Sequence, residues 1–292
     1  MRRGSTDVTV VVTSFNHQAY AEQCLASIAS QTSAAEQVVI VDDHSTDESA
    51  AVISAWLDRY DPGFEFIPRT VNGGVCTALD DALSIARGRF LCHISADDWM
   101  EPERLERQST ALANASDDVA FVVSDIHEVD AGGITLAYHD IGARLLGLTG
   151  SHHRERLHRT LLQANILPAP GILMRTAAVV SVGGYDESLS FEDYDMWLRL
   201  TQRYSAEYAP GVVTNYRVLA TSLTRSPARQ MAFLATERAC LLKQLGGSED
   251  DDRIIRARTD ELAEQLALIQ ESSALASNSR GIDESASATS VT

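Results

Sequence analysis

The chain has 292 residues, and its 24 Lys and Arg against 41 Asp and Glu leave a formal charge of −17. That balance excludes a phosphate-backbone partner, which needs a clustered basic face. With 45% hydrophobic and 22% charged residues the composition is that of a globular chain, so collagen-like, disulfide-scaffold and wholly disordered classes drop out.

Val8 to Val12 form a β-branched run that predicts a strand buried on both faces, and Ala21, Leu25 and Ile28 follow at helical spacing. Val38 to Val41 predict a second strand. After the turn DDHSTD, Ala51, Val52, Ala55 and Trp56 mark a second helix, with helix-start chemistry in Ser45-Thr46-Asp47-Glu48. Phe64 to Ile67 read as a third strand, Ala78 to Ile85 as a third helix, and Phe90 to Ile94 as a fourth strand ending at SADDWM. Pro102 opens another helix, and Val119 to Val123 form a fifth strand. Such alternation predicts a mostly parallel, doubly wound sheet whose ligands lie beyond the carboxyl ends of its strands. TSFN, DDHSTD and SADD all fall at that edge.

From about Gly132 to Ala169 the pattern weakens, with His139, His152, His153 and His158 among arginines, which predicts an insertion or mobile loop. Order returns at PAPGILMR and GGYDESL, then in a helix from Glu192 to Tyr204 with Met196, Trp197 and Leu200 on its apolar face. Beyond Pro227, Phe233, Leu234, Leu241 and Leu242, and later Leu262, Leu266 and Ile269, keep helical spacing. The closing SSALASNSRGIDESASATSVT is small and polar and predicts disorder. Cys24, Cys76, Cys92 and Cys240 show no CxxC spacing, which predicts a reducing, cytoplasmic setting. No apolar stretch approaches bilayer-spanning length, so any membrane association is expected to be peripheral.

Asp97 and Asp98 are adjacent carboxylates directly after a buried strand, suited to a divalent cation and a ribose; the bland alternative is helix capping. Asp42 and Asp43 repeat the arrangement after the second strand. Crowded carboxylates repel unless a cation or donors compensate, and a nucleobase imide is one such donor; an Asx turn is the alternative. A phospho-acceptor receiver domain fails, because its acidic pair belongs after the first strand, where TSFN stands.

TSFNHQAYAEQCLASIASQT, VVIVDDHSTDES, NGG, SADDWMEPERL, GGYDESL and EDYDMWLRL, in that order from about Val8 to about Arg217, resemble an inverting family 2 glycosyltransferase of the GT-A fold. The resemblance implies an α/β, Rossmann-like, mostly parallel sheet flanked by helices, with a C-terminal helical extension. It implies a glycosyltransferase domain over 1–225, its nucleotide-binding half at about 7–125 and its acceptor and catalytic half at about 126–225. The helical extension then covers 226–273 and a disordered tail 274–292. By the same resemblance Thr13 and Phe15 line the nucleotide pocket, Asp43 binds the base, Asp97 the ribose, and Asp98 a divalent metal, Mg²⁺ or Mn²⁺, on the pyrophosphate. Asp193 is the implied catalytic base, with Glu192 beside it in the substrate site. A carboxylate suits that task, since a sugar hydroxyl is a poor nucleophile until a positioned base takes its proton. The implied partners are a nucleotide-diphosphate sugar, a UDP-sugar favoured, and an acceptor hydroxyl, joined by single displacement with inversion.

Taken alone, Asp193 reads first as an N-terminal helix carboxylate favoured by the dipole. Trp99 and Trp197 read first as packing or pocket wall, and Asp195 with Arg199 as a helical ion pair. The family's third acidic position is Ser95 here, no basic residue follows NGG between Val75 and Asp81, and the His expected after YR is Leu219. Arg69, Arg87 or a later Arg is left to compensate. These departures keep alive a catalytically silent nucleotide-sugar-binding protein or scaffold. A sugar nucleotidyltransferase would carry a Gly-rich basic loop after the first strand, which TSFNHQ lacks.

Overall fold

The structure, a computed structural model, describes residues 6–150, 152–219 and 227–287, with side chains over 6–150, 152–219 and 230–272. The chain divides into two compact units, 1–219 and 220–292.

In the first unit, β1 (Val8–Ser14), β2 (Gln37–Asp42), β3 (Glu65–Pro68) and β4 (Phe90–Ser95) alternate with α1 (Ala21–Ala29), α2 (Ser49–Tyr60) and α3 (Val75–Ser84). Every residue of β1 and β2 is buried, as interior strands of a sheet covered on both faces must be. These strands pair in parallel in the order β3-β2-β1-β4. Ser14 lies opposite Asp42 and Thr13 opposite Ser95, so TSFN, DDHSTD and SADD end in register along one edge. α1 buries Cys24, Leu25 and Ile28 against the core that also holds Val10, Val12 and Ile94.

The sheet continues through β5 (Trp99–Met100), β6 (Val119–Val129), β7 (Thr135–His139), β8 (Ile172–Arg175) and β9 (Ser205–Arg217), with helices α4 (Arg104–Asn114), α5 (Ile141–Arg144), α6 (Arg154–Gln163), α7 (Thr176–Ser181) and α8 (Asp193–Thr201) between them. Its nine strands run β3-β2-β1-β4-β8-β6-β9-β5, with β7 on β6. β8 is antiparallel to both β4 and β6, so β4 and β6 share a direction, and β9 is parallel to β6. The long strands are thus mostly parallel, as expected, while β5, β7 and β8 run against them.

In the first unit two sequence expectations need correction. β6 runs on to Val129 rather than stopping at Val123, and its partner β9 is hidden in the sequence by Pro210-Gly211. Tyr208 pairs with Val123 and Val212 with Asp125, so the intervening residues bulge out and break the alternation. The segment 132–169 is not one long loop: β7, α5 and α6 occupy it, and α6 buries Leu157, Leu161 and Leu162. Asp125 organises it. Its carboxylate accepts hydrogen bonds from Tyr138 Oη at 2.9 Å, Tyr208 Oη at 2.7 Å and the Ile141 N–H at 2.9 Å. Burial opposes its ionisation, but those hydrogen bonds outweigh it and hold the carboxyl below its usual range.

In the second unit, α9 (Pro227–Leu242) and α10 (Glu249–Ser287) pack on one another. Ser248 starts α10 with a reciprocal cap, accepting from the Asp251 N–H at 3.1 Å and donating to its carboxylate at 2.8 Å. Arg258 of α10 reaches Glu237 of α9 at 2.9 Å. α10 continues through 274–287, where disorder was expected: the stretch lacks proline, so a helix already nucleated can propagate. The rest of the expected tail, 288–292, lies outside the described residues.

Candidate active site

The adjacent carboxylates at the end of β2 have separate tasks. Asp42 turns inward, accepting from Ser14 Oγ at 2.9 Å, Ser45 Oγ at 2.7 Å and the Ser45 N–H at 2.9 Å. It is the Asx turn. Asp43 faces the NGG segment instead, and its carboxylate accepts from Arg69 Nη1 at 2.8 Å and the Gly73 and Gly74 N–H groups at 2.9 and 2.8 Å. The two glycines differ in what a side chain would disturb. A Cβ on Gly73 would stand 2.6 Å from the Arg69 guanidinium, and Gly74 adopts φ +84° with ψ 167°, backbone essentially reserved for glycine. Arg69, held also by Asp81 at 3.2 Å, is thus the basic group beside this carboxylate. Arg87 instead joins Glu65 at 2.8 Å.

Asp98 is buried at the end of the SADD turn. Its Oδ1 accepts the Arg217 N–H at 2.7 Å, while Oδ2 is buried without a hydrogen-bond partner. Burial and the adjacent Asp97 raise its pKa well above the ordinary carboxylate range. An orphaned, reluctant carboxylate oxygen beside a second carboxylate is the donor chemistry a hard divalent cation satisfies. Arg217, at the end of β9, lies near the rings of Tyr20 and Trp99 at 4.4 and 4.9 Å. Its guanidinium donates to the carbonyls of Asp97, Asp130 and Ala131 and to Gln23 Oε1. Trp99 is therefore packing for that arginine. Behind the pair lies fully buried Arg104, bonded to Thr214 Oγ1 at 2.7 Å and Gln108 Oε1 at 3.3 Å.

The third cluster sits at the start of α8. Glu192 is the N-cap residue and Asp193 the first helical residue. Asp193 accepts from the Tyr194 N–H at 2.7 Å and from Asn165 Nδ2 at 3.0 Å. Burial, and then the charge of Asp193, push Glu192 up to about 7. Two neighbouring buried atoms, Asn165 Oδ1 and Trp197 Nε1, have no hydrogen-bond partner. Asp195 and Arg199 form the helical pair read from their spacing, 2.6 Å apart, and Arg199 also donates to the carbonyls of Val182 and Gly184.

Tyr216 connects the second and third clusters. Burial raises its pKa first, and then the charges of Asp98, Asp97, Glu128 and Asp193 add to the shift. One phenol therefore senses the acidic pair after β4 and the carboxylate of α8 together.

The sequence profile described as glycosyl transferase family 2 matches residues 9–187, more than half of the chain. The chain belongs to glycosyl transferase family 2. It is 27% identical over 180 residues to the amylovoran biosynthesis glycosyltransferase AmsE of Erwinia amylovora, covering 61% of this chain and 63% of that one. The S. aureus TarS structure in complex with UDP-GlcNAc is similar in fold, with TM-score 0.60 and 18% identity, over 86% of this chain and 71% of that one. The mannosyltransferase PcManGT of Pyrobaculum calidifontis, in complex with GDP-Man and Mn²⁺, aligns with TM-score 0.62 and 17% identity over 93% and 76%. As a family member the chain is a glycosyltransferase of EC class 2.4.

In this glycosyltransferase Thr13, Asp43, Asp97 and Asp98 lie at the ends of adjoining strands, and Phe15 is exposed just beyond β1. Sequence reasoning missed Asn165, Tyr216, Arg104 and His93. The YR pair was in view only as a place where a histidine is absent. His93 carried one available signal, a polar residue inside an otherwise apolar run, whereas Arg104, among Glu103, Glu106 and Arg107, carried none.

Proposed function

We propose that this glycosyltransferase moves a sugar from a nucleotide-diphosphate sugar to an acceptor hydroxyl by single displacement with inversion, aided by a divalent cation. The observation that carries the reading is that the charges of Asp97 and Asp98 on one side and of Asp193 on the other both act on the buried Tyr216 phenol, which supports a cation-seeking side and a proton-accepting side of one site. TarS with UDP-GlcNAc and PcManGT with GDP-Man support a nucleotide-sugar donor.

On the donor side Thr13 and Phe15 border the nucleotide, and Asp43 reads its base. Three donors fill part of the Asp43 carboxylate, two on Oδ1 and one on Oδ2, and a position on Oδ2 is left for a base N–H. Asp97 takes the ribose. Asp98, through its orphaned Oδ2, would hold Mg²⁺ or Mn²⁺. Among the described residues no group of three or more His, Cys, Asp or Glu could hold a metal, so the phosphates of the donor complete the ligand set. When bound, the cation offsets charge on the departing nucleoside diphosphate.

On the acceptor side Asp193 takes the hydroxyl proton. Asn165 holds one of its oxygens, and the orphaned atoms of Asn165 and Trp197 offer polar contacts to the incoming group. The four cysteines are buried and no disulfide joins them, which supports a reducing, cytoplasmic setting. Among the described residues no helix is long and apolar enough to cross a membrane.

Asp193→Asn tests the base, because it keeps the shape and removes the proton acceptor. Transfer is expected to fall by about two orders of magnitude or more, with calorimetric donor affinity unchanged. Transfer near the parent rate would remove the assignment and point to Glu192. A panel of UDP-, GDP- and dTDP-sugars, scored for cation-dependent release of the nucleoside diphosphate, identifies the donor.

A further inference from the structure

β4 reads Phe-Leu-Cys-His-Ile-Ser, and its fourth residue is a titratable ring between two apolar neighbours that are themselves buried. A polar group in such a position is costly unless both of its nitrogens are engaged. His93 has a partner for each. Nε2 lies 2.7 Å from Thr13 Oγ1 on β1, and Nδ1 lies 3.5 Å from Glu192 Oε1 at the start of α8. The first is a hydrogen bond; the second is longer than one and is a directed electrostatic contact of the kind that tightens when substrate binds. The ring lines the same recess as Tyr185, Glu192, Asp193 and Trp197. It therefore spans the distance between a residue assigned to the nucleotide and one assigned to the acceptor.

We propose that His93 is a positioning residue of the transfer reaction: the Thr13 hydroxyl donates to Nε2, and the Nδ1–H thereby presented to Glu192 orients that carboxyl beside Asp193. The inference rests on the acceptor-side reading above. Burial, with the nearby Arg104 adding to it, lowers the pKa of His93 to about 4, so near neutral pH the ring is uncharged and acts through its tautomer rather than by giving up a proton. The groups facing this contact are Arg104 of α4 toward the ring, Asp193 of α8 and Tyr185 of the preceding turn toward Glu192, and Tyr216 of β9 toward Asp193. None of these offers Glu192 a neutral ring N–H, and the indole N–H of Trp197, in the same recess, has no hydrogen-bond partner.

The sign of the pH effect follows. A donor facing a carboxylate favours its ionised form, so losing it raises the apparent pKa of the Glu192–Asp193 pair. His93→Phe, which keeps the ring shape, is expected to lower kcat about tenfold, a typical cost of misplacing a reacting group. The acidic limb of the kcat–pH profile should move to higher pH. His93→Asn, whose amide nitrogen stands near the Nδ1 position, should restore much of the rate and return the limb. In a Glu192→Gln background, His93→Phe should add no further loss. Equal losses in both backgrounds, or an unmoved limb, would overturn the proposal.

A readout independent of turnover is the ¹⁵N spectrum of the His93 ring. The Nδ1–H tautomer is expected at pH 7, and Glu192→Gln should alter its Nδ1 resonance. An Nε2–H tautomer, or a spectrum indifferent to Glu192→Gln, would refute the contact, and this remains decisive if His93→Phe does not fold. Intact transfer by Asp193→Asn would instead defeat the base assignment alone and leave the ring spectrum to judge His93.

Discussion

Asp42 and Asp43 are neighbours in sequence with opposite surroundings, and the difference lies in which donors reach each. Ser14 and Ser45 close the turn on Asp42, whereas NGG brings two backbone N–H groups and Arg69 to Asp43. Gly74→Ala should therefore cost about 1–3 kcal/mol by forcing a side chain into its backbone region. It should also weaken nucleotide affinity, because the donor to Asp43 Oδ2 moves; denaturant unfolding and calorimetric titration of the nucleoside diphosphate measure the two effects. Asp98 behaves differently. Its pKa is raised, so at neutral pH its ionisation opposes folding, and that cost grows as pH climbs from the ordinary carboxylate value toward its folded one. Asp98→Asn keeps an acceptor for the Arg217 N–H and removes the charge. The variant is expected to unfold at no lower urea concentration than the parent at pH 8 while losing cation-dependent donor turnover.

At the scale of elements, the long β6–β9 pair is the frame on which the second half of the fold is built. Asp125 fixes β7 and α5 to it through Tyr138, Tyr208 and the first turn of α5. Asp125→Ala would strand these donors and should destabilise the protein by about 3 kcal/mol, read as a lowered urea midpoint. Because the folded pKa of Asp125 is depressed, its contribution is present above its unfolded value and fades as pH falls through the folded one. The gap between the Ala variant and the parent should accordingly narrow in acid. The strand–helix alternation up to β4 was legible because interior parallel strands are continuous apolar runs. β9 was not, since its Pro-Gly bulge breaks the pattern and its partner β6 lies far away in sequence.

For the molecule as a whole, the net charge of −17 makes locally placed cations decisive, and the described arginines near the acidic pairs are committed to named partners. Arg69 is bound to Asp43 and Asp81, Arg217 to carbonyls and Gln23, and Arg104 to Thr214 and Gln108. In the proposed reading a divalent cation offsets the diphosphate beside Asp98. The second unit is a helix pair held by Glu237–Arg258 and the apolar face around Leu241, Ile255 and Leu262. The sequence after Ser273 is small and polar. Truncation after Ser273 is therefore expected to leave melting temperature and transfer rate nearly unchanged, and a substantial drop in either would show that the last turns of α10 are needed.

The amino-acid sequence alone determined the parallel half of the sheet, the edge at which TSFN, DDHSTD and SADD meet, and the family, because buried strands and turn chemistry are local properties. It identified the acidic candidates but could not say which carboxylate was free to serve. That was decided by residues remote in sequence: Ser14 turning Asp42 inward, Arg69 and NGG fixing Asp43, Arg217 leaving one oxygen of Asp98 unpartnered. His93 is a lone polar residue in an apolar strand, and only the packing of β1 and α8 on either side gives its ring nitrogens their partners. Hydrogen bonds across such spans arise from the packing of whole elements, and local periodicity carries no record of them.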